Sequence, residues 1–245
     1  AELAKDKYRT EEIHSELVAD PGQWAKKSVK FLPQAWSPDS WVMQQVAMPF
    51  VPERTLPTGM DVLAGVFGSA RARVHLAEEI KHCPNLAGQL DKACKRLQSE
   101  TGDSLHQRWL ASLEPLTKAP PKGAPAFMYS EAWADSRLNT ALASWAQLRH
   151  TLLPYVEQAY MCIGMSDNDP GGAVEPLPLL YARLRALVTD MGAWLAAEGQ
   201  LTGTHKAAIE ELAKTLSAFE EIANLQLAGK PITKEQRYLL LEYGT

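Results

Sequence analysis

The chain has 245 residues, 46% hydrophobic and 22% charged, which are proportions of a folded globular protein and far from those of a disordered one. Its 25 basic and 29 acidic residues give a formal net charge of −4 with no basic run, so it lacks the positive field that holds a polyanion, and nucleic acid is not an expected partner. Polar or charged residues break every apolar run well short of the ~20 residues that a spanning helix requires, so no membrane span is expected.

Residues 10–19 place Ile13, Leu17 and Val18 at helical spacing before Asp20-Pro21-Gly22 ends the pattern. Pro33, Pro38, Pro49, Pro52 and Pro57 then forbid long regular structure, leaving room for one short helix over 40–48, capped by Asp39 or Ser40. The intervals between Met60, Leu63, Phe67, Ala70, Val74 and Ala77 predict one continuous helix over 58–79. Leu86, Leu90, Ala93 and Leu97 form the apolar side of another over 86–99, with Lys92, Lys95 and Arg96 on its polar side. A helix over 104–116 follows. Residues 118–125, with Pro120, Pro121, Pro125 and Gly123, read as a connector. The expected division is therefore an N-terminal helical subdomain over 1–125 and a C-terminal one over 126–245, packed as one compact unit. The longest helical segment, 130–162, is interrupted near Pro154, and 166–178 is a loop rich in Asp, Asn, Gly and Pro. Helices over 179–198, 204–228 and 233–243 complete the chain, with Thr204 and Thr233 as N-caps and Gln236 closing a capping box on Thr233. No strand alternation competes, so the fold class is all-α: an irregular multi-helix bundle with long proline-rich loops.

Chemistry is sparse. Three cysteines, Cys83, Cys94 and Cys162, match no zinc spacing; they read as small packed thiols, with a Cys83–Cys94 bridge as the alternative in an oxidising compartment. There is no G-x-S-x-G, H-E-x-x-H, Walker A or dinucleotide fingerprint, and no cofactor is expected. Gly59 and Gly68-Ser69 read as helix packing, since their spacing makes no phosphate cradle. In the segment Ser144-Trp145-Ala146-Gln147-Leu148-Arg149-His150, Trp145 and Arg149 are four apart, so the guanidinium can stack on the indole, and the polar groups are expected to face inward. His150 with Glu157 offers an acid–base pair; a buried, hydrogen-bonded structural histidine is the plainer reading. Asp167 and Asp169 lie in a glycine-bearing loop that fails the EF-hand offsets, so a turn is expected there and a metal site is the weaker alternative. Arg54 and Asp61 flank the Leu56-Pro57-Thr58-Gly59 turn and are expected to pair across it; an anion site at Arg54 is the alternative.

Several separated motifs resemble, in order, the landmarks of one family. They are Trp36-Ser37-Pro38-Asp39-Ser40 with Gln44-Gln45, Arg54-Thr55-Leu56-Pro57-Thr58-Gly59-Met60-Asp61-Val62, and Gly68-Ser69-Ala70. Then come Ala132-Trp133, Leu138-Asn139-Thr140-Ala141-Leu142, the Ser144 to His150 segment continued by Tyr155, Gln158 and Tyr160, Val174-Glu175-Pro176 and Tyr181-Ala182-Arg183-Leu184. From about residue 30 to 245 the chain resembles the C-terminal half of the large, mostly prokaryotic family known as domain of unknown function 3160. It departs from that pattern at Thr151, where the family has Asp, at Glu157, where it has Lys, and at Pro154. A site built on that aspartate is thus absent here or moved to Glu157.

Because family members are longer and many look exported, the resemblance implies a secreted or periplasmic protein that is a fragment, processed subunit or split-gene product. It further implies a protein partner supplying the missing half. The expected function is a noncatalytic structural or protein-interaction subunit. The alternative is a hydrolase of peptides or glycans that uses His150 with Glu157 or Glu175, and Arg149 as an electrophilic or anchoring group.

Overall fold

The computed structural model describes residues 37–99, 104–152 and 173–242. Among them every regular element is helical and none is a strand, so the chain is all-α. It divides into two compact units, residues 1–103 and 104–245, and the 118–125 connector lies inside the second. The helix expected over 10–19 and the 153–162 part of the long helical segment, including Pro154, lie outside the described residues.

In the first unit, α1 (Pro38–Gln45) starts earlier than expected, because Pro38 at its first turn has the helical φ already set. Ser37 is the N-cap, and Asp39 and Ser40 are buried inside the first turn instead of capping it. The single helix expected over 58–79 is three: α2 (Gly59–Phe67), α3 (Ala70–His75) and α4 (Ala77–His82). Gly68 takes φ 64°, a left-handed conformation that stops α2, and the Ser69 hydroxyl caps α3 by accepting from the Ala72 N–H at 3.3 Å. That break resets the helical phase. Leu63 and Phe67 are therefore buried, while Val74, expected on the same stripe, is 57% exposed. Gly65 lets α2 approach α1 closely: a Cβ there would lie 2.6 Å from Val42 Cγ1. On α5 (Asn85–Ser99), Leu86, Leu90 and Ala93 are fully buried, and Arg96 lies over the Trp41 ring at 4.3 Å, tying α5 to α1.

The second unit comprises α6 (Leu105–Thr117), a 3-10 turn (Ala126–Tyr129), α7 (Glu131–Leu152), α8 (Pro178–Ala197), α9 (Gly203–Leu227) and α10 (Lys234–Glu242). Helix α6 packs on both α7 and α8, and α8 forms a hairpin with α9. Edge-to-face contact of Tyr181 on Phe219, at 5.8 Å between centroids, and the Arg185–Glu220 bond of 3.0 Å fasten that hairpin. The α9 cap is Thr202, not Thr204: its hydroxyl accepts from the His205 N–H at 3.2 Å. At α10 the expected Thr233–Gln236 capping box is formed, with reciprocal bonds of 3.0 and 3.1 Å. Gly123 has φ 91° and lies so close to α9 that a Cβ would meet the Leu227 carbonyl oxygen at 2.4 Å, which fixes the connector against the end of that helix. Among the described residues no helix is long and apolar enough to cross a membrane.

Candidate functional site

Two buried polar clusters organise the chain, one in each unit. In the first, the Arg54 guanidinium, 5% exposed, donates through Nη2 to Asp61 Oδ2 at 2.7 Å and through Nη1 to the Val46 carbonyl at 3.1 Å. It also donates to Glu79 Oε2 through Nε at 2.8 Å and Nη2 at 2.5 Å. The same Asp61 oxygen accepts from the Thr58 N–H at 2.7 Å, closing the start of α2. Burial works against the Arg54 charge, but the bonds and charges of Asp61 and Glu79 outweigh it and raise its pKa. With two carboxylates and a carbonyl on one buried guanidinium, the geometry opposes an anion at Arg54 and favours the structural pairing.

The second cluster begins with a proline. Pro115 sits inside α6 and has no N–H, so the carbonyl of Ala111, one turn earlier, loses its helical donor. Arg183 of α8 replaces it, with Nη1 donating to Ala111 O at 2.5 Å and to Glu114 Oε2 at 3.0 Å. Near the helix end the Pro115 carbonyl accepts from Arg137 Nη2 of α7 at 2.5 Å. Arg137 is 4% exposed; its Nε lies 3.5 Å from Glu175 Oε1 and lacks a hydrogen-bond partner. Burial lowers the Arg137 pKa, and the Glu175 charge offsets part of that shift. Glu175 Oε1 also accepts from the Trp133 indole N–H at 3.1 Å.

This arrangement makes a prediction about Arg183. Replacing it by methionine should cost about 1–3 kcal/mol, and about 1 kcal/mol less in a Pro115→Ala background, where the amide returned to residue 115 can serve Ala111. A double-mutant cycle by urea unfolding measures the difference; equal costs in both backgrounds contradict the assignment.

The Ser144 to His150 segment is placed differently from expectation. Arg149 does lie over Trp145, 5.7 Å from the ring centroid, and both are half-buried. His150, however, is exposed and does not face inward. The buried side of α7 carries Arg137, Leu138, Ala141 and Leu148; His150 follows Leu148 by two residues, about 200° around the helix, on the exposed side with Asn139 and Ala146. The structure also keeps His150 from Glu175. Glu175 is bound to Trp133 and Arg137 near the start of α7, and the thirteen residues from Arg137 to His150 span about 20 Å of helix. Glu157, Asp167 and Asp169 lie outside the described residues. Among the described residues no group of three or more His, Cys, Asp or Glu side chains is arranged to hold a metal. The thiols of Cys83 and Cys94 are free, the first buried.

Arg137 belongs to none of the motifs singled out above. Its signal was its position four residues after Trp133 and next to Leu138: an arginine on an apolar stripe must find a carboxylate or carbonyl partner. No curated protein and no solved structure matches the chain. Arg54 with Asp61, Trp133 with Glu175, and Arg183, the residues that tie the helices of each unit, stand within the motifs that carry the likeness, and the match extends over residues 2–245: the chain belongs to the family described as Protein of unknown function (DUF3160).

Proposed function

We propose that this chain is a noncatalytic structural or protein-interaction subunit of an exported assembly, secreted or periplasmic. One observation carries the reading: Arg54, Asp61, Trp133 and Arg183, all within the family motifs, are bound within the fold, Arg54 to Asp61 and the Val46 carbonyl, Trp133 to Glu175, and Arg183 to the Ala111 carbonyl of another helix. A general acid or base needs a face within hydrogen-bond reach of a substrate. The hydrolase alternative draws on His150 with Glu157 or Glu175 and on Arg149; Glu157 lies outside the described residues, and Glu175 is bound to Arg137, about 20 Å along α7 from His150. A protein partner is supported by large apolar side chains left exposed on α9 and α10, with Leu212 at 40%, Tyr238 at 61% and Leu241 at 45%. The net charge of −4 argues against nucleic acid in that role.

The test compares the full chain with His150→Ala on peptide and glycan substrates. Neither protein is expected to hydrolyse them above the buffer rate, and because His150 is exposed the two should unfold within about 0.5 kcal/mol of each other. Hydrolysis by the unaltered chain that disappears in the variant overturns the noncatalytic reading.

A further inference from the structure

Beside the Arg137–Glu175 pair the second unit presents aromatic rings to solvent. Phe127 and Tyr129, on the 3-10 turn, are each 54% exposed. Phe127 meets the half-buried Trp133 edge-on, with centroids 4.9 Å apart and planes at 81°, so the two rings make a corner. Both described contacts of Glu175 are made through Oε1, and its side chain is 21% exposed, which leaves Oε2 as an acceptor at the surface. Behind it the nearly fully buried Arg137, whose Nε has no hydrogen-bond partner, holds that carboxylate in place by charge.

A ligand suited to this corner has a flat C–H face for the rings and hydroxyl donors at its rim for the carboxylate. A pyranose has both. A polyproline peptide suits it less, because grooves for such peptides combine aromatic walls with donors for the peptide carbonyls. Here the ring donor of the corner, the Trp133 N–H, is already engaged by Glu175, and the hydroxyl of Tyr129 on the same turn as Phe127 is engaged by the Pro121 carbonyl at 2.9 Å. An anionic ligand would meet the Glu175 charge. We propose that Phe127, Trp133 and Glu175 form a binding site for a neutral oligosaccharide, with sugar C–H groups stacked on the rings and a sugar hydroxyl donating to Glu175 Oε2. The site goes beyond the interaction role proposed above by naming the chemistry of a ligand.

Calorimetric titration of the full chain with cellohexaose, chitohexaose, xylohexaose and decaproline tests it. At least one hexasaccharide is expected to bind with Kd on the order of 10 μM to 1 mM. Phe127→Ala should weaken that binding about tenfold. Glu175→Gln, which keeps an acceptor for Trp133 but removes the charge, should weaken it about threefold or more. Val74→Ala, at an exposed apolar side chain on α3 of the first unit, should leave it unchanged. Circular dichroism checks that each variant keeps the helical fold. Failure of all three hexasaccharides to bind up to about 10 mM, binding indifferent to Phe127→Ala, or binding of decaproline in their place overturns the proposal. Chromatography of the bound saccharide separates the two readings: a sugar that binds intact agrees with both, and one that binds and is cleaved supports the site while overturning the noncatalytic role.

Discussion

Replacing Arg54 by methionine is expected to destabilise the first unit by about 3–5 kcal/mol, the range for removing one partner of a buried ion pair. Asp61 is fully buried, and its charge is neutralised by the Arg54 Nη2 bond of 2.7 Å. Without the guanidinium that carboxylate has no cation, and the Val46 carbonyl loses a donor. Methionine fills similar volume, so the loss reports charge and hydrogen bonding rather than a cavity. Arg54→Met combined with Asp61→Asn should recover at least half of it. Asparagine can still accept from the Thr58 N–H that starts α2, and it leaves no buried charge. Urea unfolding of the full chain, followed by tryptophan fluorescence and circular dichroism, gives both values. Equal destabilisation in the single and double variants would show that the pair is not the source of the effect.

Gly123→Ala carries the second large effect, an expected loss of about 2–4 kcal/mol in the second unit. Two costs add. The backbone stays at φ 91°, where an L side chain is strained, and the new Cβ would lie 2.4 Å from the Leu227 carbonyl oxygen. Relief requires moving the connector off the end of α9, since a backbone oxygen cannot turn away as a flexible side chain can. Gly199→Ala is the matched control: its φ is 66° but nothing lies within 4 Å of the added Cβ, so it should cost only about 1–2 kcal/mol. The difference between the variants, read from urea unfolding curves, measures the contact between connector and helix. Indistinguishable losses would remove that contact from the account.

Much of the helical architecture was legible because helix formation is read from neighbouring residues. The side chains of Leu86, Leu90 and Ala93 recur every three or four residues, and all three are buried on α5. Thr233 and Gln236 announce the start of α10 through bonds that span three residues. The errors of placement are also local. The spacing of Gly68 and Ser69 suggests helix packing, yet their left-handed turn and cap separate α2 from α3 within one expected helix. Thr202 caps α9 where Thr204 was expected, since two threonines close in sequence offer the same hydroxyl and the turn geometry chooses between them.

By itself, then, the sequence determined, among the described residues, which long stretches are helical, where most of them begin, and that Arg54 and Asp61, seven residues apart across one turn, would meet. Tertiary packing alone decided that Glu79 joins that pair, that Arg183 serves a carbonyl orphaned by Pro115, and that Trp133 and Arg137 converge on Glu175. It also decided that His150 faces solvent. The reason is one of range: helix caps and turns are settled by bonds between residues a few positions apart, whereas the partner of a buried charge and the side of a helix that meets its neighbour depend on which elements touch, and no local pattern encodes that.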